Sequence, residues 1–284
     1  MKPLLPGSTI GILGGGQLGR MMSLAARRMG YRIVVLDPSA RCPTAQVADG
    51  VVVGALDDVD AGIELAKQVD VMTLDTEHVP ADVLDQLAAH GVVRPSPTVL
   101  RTIQDRQAQK RFLDSAGIPQ TPWASVSVEG DLLPALARTG ADAILKVRRA
   151  GYDGKGQVRL RPGDDPVAAF RRIRGEPSVL EQTVPFVREI SVVLARAVSG
   201  EVRIYPLAEN VHRHHVLHTT RAPAPMPADR RARAEELAVH IATTLDHVGV
   251  MAVEMFELAD GQLLVNEIAP RTHNSGHYTL GACA

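Results

Sequence analysis

The sequence predicts two fold classes in succession, an α/β unit with a doubly wound parallel sheet and then a strand-rich α+β unit. Two observations predict this order. From residue 8 to about residue 91, short apolar strands alternate with helical stretches, which is the βαβ rhythm of a doubly wound sheet. After about residue 117, strands dominate. With 284 residues, 45% of them hydrophobic, the chain can bury the cores of two or three domains.

The α/β unit is predicted from apolar runs of strand length separated by helix-length segments. Its predicted elements are strands at 10–13, 33–36, 51–53 and 69–74, with a helix at 17–29. Pro95 and Pro97 then exclude helix, and a single helix is predicted to begin just after them, at 98–116. We therefore expect a domain boundary near Pro97, with domains at 1–97 and 98–284.

The second unit begins after the predicted helix ends at Gly117. Its predicted strands are at 143–147, 157–160, 179–181, 190–197 and 204–207, and a hairpin follows near the C-terminus. A proline-rich surface loop is expected at 219–227. Asp229 is expected to cap the next helix, in which Leu237, Ile241 and Leu245 recur at i+4 spacing before Gly249 ends it.

Charge and composition exclude several classes of partner. The formal net charge is −1 and no long basic or acidic block occurs, so neither nucleic acid nor an anionic membrane is expected as a partner. No segment approaches about 20 uninterrupted apolar residues. The two cysteines, Cys42 and Cys283, lack metal-type spacing and fit a reducing compartment, so a cytoplasmic location is expected.

The predicted C-terminal hairpin places two acids opposite each other. Apolar runs flank the turn signal Asp260-Gly261 and continue into Glu254 on one side and Glu267 on the other. If those two residues form the turn, residue 259 pairs with 262 and Glu254 lies opposite Glu267. Carboxylates about 5 Å apart repel by about 3 kcal/mol at an effective dielectric constant of about 20. The pair therefore predicts a Mg²⁺ or Mn²⁺ site completed by water and nucleotide phosphates, the alternative being a solvated acidic strand pair.

A glycine-rich segment, Gly14-Gly15-Gly16-Gln17-Leu18-Gly19, lies between the first predicted strand and helix and matches G-x-G-x-x-G. Glycines let the backbone approach an anion, and a helix N-terminus supplies free N–H groups. Asp37 ends the next strand, where a dinucleotide-binding fold keeps its ribose-binding acid. Taken alone, this motif favours an NAD-dependent oxidoreductase, and a tight turn without any ligand is the structural alternative.

A second glycine-rich segment, Gly151-Tyr152-Asp153-Gly154-Lys155-Gly156-Gln157, lies between two predicted strands. It lacks the Walker spacing, and a strand rather than a helix follows it. Its glycines and lysine suit a flap that folds over phosphates. Lys146 interrupts the apolar strand just before it, and a phosphate would give this lysine a partner. A glycine-rich hairpin turn beside an edge-strand lysine is the alternative.

The third motif runs from Asn266 to His277 and reads Asn-Glu-Ile-Ala-Pro-Arg-Thr-His-Asn-Ser-Gly-His. Here a metal-binding acid is followed by Arg271, two imidazoles and an amide, which suit the orientation of a small anion and a polar nucleophile. A zinc site around His212, His214, His215 and His218 is disfavoured, because no acidic or thiol partner shares a ligand spacing with them.

Together these motifs resemble those of the N5-carboxyaminoimidazole ribonucleotide synthases, an ATP-grasp family of microbial purine biosynthesis. The resemblance covers nearly the whole chain, and the His-Asn-Ser-Gly-His string at 273–277 is its most specific part. It implies a Rossmann-like pre-ATP-grasp domain and then an ATP-grasp domain of antiparallel sheets and helices, with a small flap subdomain at about 120–180. It also implies a homodimer in which MgATP and bicarbonate carboxylate the amino group of 5-aminoimidazole ribonucleotide through carboxyphosphate, releasing ADP and phosphate.

The resemblance also implies residue roles. Nucleotide contacts are implied for Arg106, Lys146, Gly151, Tyr152, Asp153, Gly154, Lys155, Gly156, Gln157, Glu181, Gln182, Thr183, Val184, Glu189, His212, Asn266 and Glu267. Metal ligation is implied for Glu254 and Glu267. Contacts with bicarbonate and the reacting amine are implied for Tyr152, Asp153, Arg271, His273 and Asn274. Contacts with the ribonucleotide are implied for Gly15, Gly16, Gln17, Leu18, Gly19, Arg20, Asp75 and Glu77.

Two features depart from the family pattern. Asp75 stands where a glutamate is common, so its carboxylate has a shorter reach. Family members also continue for roughly another domain past the position of Ala284, and that domain is expected to complete one edge of the fold and to supply basic residues for the ribonucleotide phosphate. Two alternatives remain open: another ATP-grasp carboxylate-amine ligase, which should lack the string at 273–277, and a protein that binds nucleotide without turnover.

Overall fold

The computed structural model of the chain describes residues 3–149, 156–214 and 216–281. The described residues form three sheets, each with an apolar core of its own. Along these ranges, no helix combines the length and the apolar character needed to cross a membrane. The predicted order of an α/β unit followed by a strand-rich α+β unit is confirmed.

The first sheet has four parallel strands in the order β3-β2-β1-β4. Its elements are β1 Thr9–Leu13, α1 Gln17–Arg28, β2 Arg32–Asp37, β3 Gly50–Val53, α2 Val59–Ala66, β4 Val71–Leu74 and α3 Ala81–Ala88. Helix α1 covers one face, and α2 and α3 cover the other. The strand order reverses at β1, so a crevice is expected at the carboxyl ends of β1 and β4, where such sheets bind their ligands.

The single helix predicted at 98–116 is wrong, because Asp105 divides it into α4 Pro97–Gln104 and α5 Arg106–Ser115. Asp105 has extended backbone angles, and its side chain accepts hydrogen bonds from the N–H groups of Gln107 and Ala108. A side chain of this kind favours an N-cap over a helix interior. A new helix N-terminus therefore forms immediately before Arg106.

The second sheet contains four antiparallel strands in the order β5-β8-β6-β7. Its elements are β5 Trp123–Val126, α6 Leu132–Thr139, β6 Ala143–Val147, β7 Gln157–Leu160, α7 Pro166–Arg172 and β8 Ser178–Gln182. Helices α6 and α7 pack on one face through an apolar core. Because side chains alternate along β6, Leu145 points into this core and Lys146 points to the opposite face.

The third sheet is antiparallel, with strands in the order β12-β11-β9-β13-β14 and β10 paired to the end of β9. Its elements are β9 Phe186–Arg196, β10 Val202–Ile204, β11 Ala208–Arg213, β12 Val216–Arg221, α8 Ala228–Thr244, β13 Gly249–Leu258 and β14 Leu263–Ala269. Helix α8 packs on one face through Leu237 and Ile241. The inward side chains of β9 and β13 meet it there, and Glu254 lies on the other face of the sheet.

Three local predictions for this region are corrected. Pro227 rather than Asp229 is the N-cap residue of α8, and Asp229 lies in its first turn. The helix ends at Thr244, and Gly249 begins a strand. Residues 219–221, expected in a loop, belong to β12, because their backbone pairs with β11. Strand pairing overrides the local signals at residues 219–221 and at Gly249.

The hairpin of β13 and β14 pairs Glu254 with Glu267 as predicted, but its turn and register differ from the prediction. The turn is longer than predicted, because the Leu258 N–H donates to the Gln262 carbonyl and the loop holds three residues. Met255 accordingly pairs with Val265. A β-bulge at Asn266 then adds one residue to β14 and restores the pairing of Glu254 with Glu267. The two acids are therefore opposite each other, although the two-residue turn is wrong.

Candidate active site

The acid pair lies on the face of the third sheet that helix α8 does not cover. Glu254 is 9% exposed, and its Oε1 atom has no hydrogen-bond partner among the described residues. Burial, reinforced by the negative charge of Glu267, raises the pKa of Glu254 to about 8. A buried carboxyl beside another carboxylate stays protonated near neutral pH unless a positive charge lies between them.

A divalent cation fits these two acids, because it supplies the positive charge that the buried oxygen lacks. Within the described ranges, no group of three or more His, Cys, Asp or Glu side chains converges as a metal site. Two carboxylates are nevertheless a common protein contribution to Mg²⁺, which keeps several waters and takes further oxygens from nucleotide phosphates. The donor set therefore fits Mg²⁺ and does not resemble a closed zinc site.

Glu189 and His212 lie beside the acid pair on neighbouring strands β9 and β11. His212 Nδ1 lies 2.9 Å from Glu189 Oε2. The pKa of His212 is raised, chiefly by its hydrogen bond to Glu189 and further by the charges of Glu189, Glu254 and Glu267. These four side chains, for which the resemblance implied nucleotide or metal contacts, thus share one polar surface.

A lysine pair surrounds the carboxylate of Glu181 in the second sheet. Lys146 Nζ is 2.9 Å from Glu181 Oε2, and Lys110 Nζ, from helix α5, is 3.5 Å from the same oxygen. Burial alone would raise the pKa of Glu181, but Lys146 and Lys110 together lower it to about 2. Glu181 is therefore an anion in the folded protein. Its strand continues to Gln182, and Thr183 and Val184 follow directly.

The entrance of the predicted flap is fastened to helix α5. Arg148 contacts the Asp105 carboxylate through Nε at 3.0 Å and through Nη2, and Arg149 Nε lies 3.2 Å from it. Burial opposes ionisation of Asp105, but the two guanidinium groups hold its pKa below the usual range. The Arg106 N–H also donates to the Arg148 carbonyl.

The flap itself falls largely outside the described residues. The flap residues outside the described ranges are Gly151, Tyr152, Asp153, Gly154 and Lys155, and their roles stay predictions. At the exit of the flap, the Gly156 carbonyl accepts the Val147 N–H, and Gln157 pairs with Lys146 across β6 and β7. Both ends of the flap therefore return beside the lysine that binds Glu181.

The first glycine-rich loop lies at the carboxyl end of β1, but three of its amides already donate to carboxylates of the chain. Gly15 N donates to Asp37 Oδ2 at 2.8 Å, and the amides of Gly16 and Gly19 donate to Asp75. Burial raises the pKa of Asp75, and these two amides offset it only in part. Contact of this loop with a phosphate stays a prediction, and in the structure the amides of Gly15, Gly16 and Gly19 have carboxylate acceptors.

The remaining groups of this loop lie in the first turn of helix α1. The N–H groups of Gln17 and Leu18 belong to that turn, whose amides have no acceptor within the helix. The Arg20 guanidinium donates to the Gln46 side chain. An added Cβ at Gly16 would collide with Asp75 Oδ2, so a glycine is required there by the carboxylate that closes the loop. An anion at the N-terminus of α1 would accept hydrogen bonds from the amides of Gln17 and Leu18.

The tail after β14 links the acid pair to Glu77, just beyond strand β4. His273 Nδ1 lies 3.9 Å from Glu254 Oε1 and hydrogen-bonds Ser275 Oγ at 2.9 Å. Burial lowers the pKa of His273, and the charge of Glu267 offsets this only in part. Arg271 Nη2 lies 2.6 Å from Glu77 Oε2, just beyond strand β4. Asn274, which is exposed, begins a short 3₁₀ helix.

Sequence reasoning missed Lys110 and Asp105. Lys110 is 1% exposed, and Asp105 is 2% exposed. The available signal for Lys110 was its position three residues before the buried Leu113, on the same helix face. The role of Asp105 was not predicted, because the sequence of residues 98–116 predicts one continuous helix.

Comparison with known proteins identifies the family. Residues 7–104 match the ribonucleotide synthetase preATP-grasp domain, and residues 111–284 match the ATP-grasp domain. The chain is 50% identical to the N5-carboxyaminoimidazole ribonucleotide synthase of Brucella melitensis, over 99% of this chain and 78% of that protein. The chain belongs to the N5-carboxyaminoimidazole ribonucleotide synthase family. An NAD-dependent oxidoreductase is thereby excluded as its family.

Solved structures of N5-carboxyaminoimidazole ribonucleotide synthases have the same fold. The Staphylococcus aureus protein complexed with ADP has a TM-score of 0.94 at 38% identity, covering 98% of this chain and 74% of that one. The Aspergillus clavatus protein, in complex with ADP and 5-aminoimidazole ribonucleotide, has a TM-score of 0.87 at 32% identity, covering 96% of this chain and 72% of that one. The chain thus spans about three quarters of the length of these relatives.

Proposed function

We propose that this chain is an ATP-grasp ligase that carboxylates 5-aminoimidazole ribonucleotide with bicarbonate, consuming ATP, in purine biosynthesis. Family membership supports the reaction, and the observation that carries it in this chain is the opposed pair Glu254 and Glu267. The buried carboxyl of Glu254 and the exposed carboxyl of Glu267 opposite it form a site that fits the cation of a nucleotide phosphate complex. ADP and 5-aminoimidazole ribonucleotide bind together to the Aspergillus clavatus relative, which supports the same pair of ligands here.

The polar surface is arranged in the order that the reaction needs. Lys146 would lie at the nucleotide end, where this lysine and the flap would neutralise the phosphates. A Mg²⁺ or Mn²⁺ ion held by Glu254 and Glu267 would stabilise charge on the γ-phosphoryl group. Bicarbonate attack on that group yields carboxyphosphate and ADP. Closure of the flap would keep water from hydrolysing the carboxyphosphate.

The ribonucleotide end is formed by the tail and the crevice of the parallel sheet. His273 is adjacent to the acid pair, whereas Arg271 reaches Glu77 beyond β4. A carboxyphosphate formed near His273 would therefore meet an amine bound beside Arg271. Tyr152, Asp153 and Asn274 are proposed to contact bicarbonate and the amine, Asp75 and Glu77 to border the ribonucleotide, and Gln17 and Leu18 to donate to its phosphate.

We also propose a cytoplasmic homodimer. The dimer is supported by the family resemblance alone. The location is supported by the near-neutral charge and by the two cysteines without metal-type spacing. Equilibrium sedimentation of the purified chain would test the dimer.

Glu267→Gln tests the metal assignment. It removes one carboxylate charge with little change of shape, so kcat for ATP consumption is expected to fall by at least about 100-fold while the fold is retained. Phosphate release would be measured with ATP, Mg²⁺, bicarbonate and 5-aminoimidazole ribonucleotide. Glu236→Gln is the matched control, because this exposed residue of α8 pairs only with Arg233 in the described structure. Normal turnover in Glu267→Gln would contradict the assignment.

A further inference from the structure

Two lysines share one carboxylate oxygen at the nucleotide end of the site, and they differ in accessibility. Lys146 Nζ and Lys110 Nζ lie 2.9 Å and 3.5 Å from Glu181 Oε2. The Lys146 side chain is 14% exposed, whereas that of Lys110 is 2% exposed. Lys146 can therefore reach a ligand, and Lys110 is confined to the interior.

The second contact of Lys110 also keeps it in place. Its Nζ lies 3.3 Å from the Thr121 Oγ1 atom, and Thr121 is itself buried. Helix α5 carries Lys110, whereas Lys146 belongs to strand β6 next to the flap. The two ammonium groups thus approach Glu181 from separate elements, and Lys146 belongs to the strand that leads along the chain into the segment expected to cover a nucleotide.

Glu181 needs a counter-ion at every stage of nucleotide binding. A buried carboxylate without a partner is costly, and removing one partner of a buried ion pair is strongly destabilising. If Lys146 were the sole partner of Glu181, movement of Lys146 to a phosphate would leave the buried carboxylate of Glu181 unpaired. Lys110 removes the difficulty, because it stays beside Glu181 whether or not a nucleotide is present.

We propose that Lys110 is a positioning residue for nucleotide binding: it keeps Glu181 paired, so that Lys146 can move from Glu181 to the phosphates of the nucleotide. This inference rests on the proposed function, because it takes the nucleotide phosphates to bind beside Lys146. Lys110 does not touch the nucleotide in this arrangement. Its contribution to affinity is therefore confined to ligands that carry phosphates.

The test compares ADP with adenosine, which lacks phosphates. Calorimetric titration of the full chain with Mg²⁺ would measure both ligands on wild type and on Lys110→Met. We expect the Kd of ADP to rise about tenfold or more, as for the loss of one charge-assisted contact, because Lys146 stays with Glu181. The Kd of adenosine should change less than about twofold. Lys67→Met, at an exposed lysine of the parallel-sheet unit, is the matched control.

Unchanged ADP affinity in Lys110→Met would overturn the inference, and so would equal losses for ADP and adenosine, which indicate a purely structural role. If Lys110→Met does not fold, Lys146→Met serves instead. It should keep the wild-type Tm, because Lys110 still pairs with Glu181, while ADP binds as weakly as adenosine. A large loss of Tm in Lys146→Met would show that Lys110 is not a sufficient counter-ion. Wild-type protein that binds no ADP would contradict the proposed function itself.

Discussion

At the scale of single residues, neighbours rather than residue type decide the charge of each buried acid. Burial raises the pKa of Glu254, and the adjacent Glu267 raises it further, to about 8. Glu181 is also buried, but two lysines lower its pKa to about 2. One acid therefore needs an external cation and the other already has internal ones. This contrast separates the proposed metal position from the proposed nucleotide-binding position.

The buried imidazole of His247 lies outside the candidate site, and it is expected to make the free energy of unfolding depend on pH. Burial, partly offset by its hydrogen bond with the Val250 carbonyl, lowers the pKa of this imidazole to about 4. The unfolded chain, with a histidine pKa near 6.5, binds more protons between pH 6.5 and 4, so stability falls as pH falls through this window. From pH 7 to 4.5 the loss attributable to His247 should be about 2 kcal/mol.

Urea unfolding at the two pH values would measure this loss. His247→Gln keeps a neutral amide at every pH, so its stability should fall less on acidification than that of wild type, by about the same 2 kcal/mol. Parallel pH dependences for the two proteins would contradict the assignment of a buried neutral imidazole.

At the scale of elements, local sequence signals predicted that the two strands of the C-terminal hairpin pair, but not how their register is reached. The hairpin turn holds three residues instead of two, and the bulge at Asn266 compensates for this difference. A bulge leaves no composition signal of its own, because it depends on how the whole strand is bent and paired. The division of α4 from α5 at Asp105 escaped prediction for a related reason, since the cap is stabilised by arginines 43 and 44 residues away.

Asp105 is expected to link helix α5 with the flap. Asparagine caps a helix about as well as aspartate, so Asp105→Asn keeps the cap and removes the charge that holds Arg148 and Arg149. We expect KM for ATP to rise severalfold in this variant, because the entrance of the flap loses its anchor. Steady-state kinetics with varied ATP would measure the change.

Asp105→Ala provides the comparison for this prediction. It removes the cap as well as the charge, so it should be less stable than Asp105→Asn by about 1 kcal/mol. An unaltered KM for ATP in both variants would show that the anchoring of the flap does not depend on Asp105.

At the scale of the whole molecule, the tail after β14 connects the two units of the chain. Arg271 pairs with Glu77 beyond β4, and the Gln104 side-chain amide donates to the Glu77 carbonyl at 2.6 Å. The family resemblance implied separate roles for Arg271 and Glu77, and Gln104 was not predicted. Their meeting could not be predicted, because it depends on the packing of a parallel sheet against a distant antiparallel one, and the domain boundary near Pro97 stays a prediction.

Glu77→Gln tests this connection. Arg271 loses its charged partner, so KM for 5-aminoimidazole ribonucleotide should rise about tenfold while KM for ATP stays near the wild-type value. Asp82→Asn is the control, because it removes an exposed carboxylate of the same unit that pairs with Arg101. Equal increases of both KM values would indicate a general structural defect instead.

Transfer of oxygen from bicarbonate to phosphate tests the central claim most directly. Attack of bicarbonate on the γ-phosphoryl group leaves one bicarbonate oxygen on phosphorus when carboxyphosphate breaks down. With ¹⁸O-labelled bicarbonate, ATP, Mg²⁺ and 5-aminoimidazole ribonucleotide, ³¹P NMR should show one ¹⁸O atom in each released phosphate. Phosphate released without the label would mean that water attacks ATP, which would contradict the proposed carboxylation.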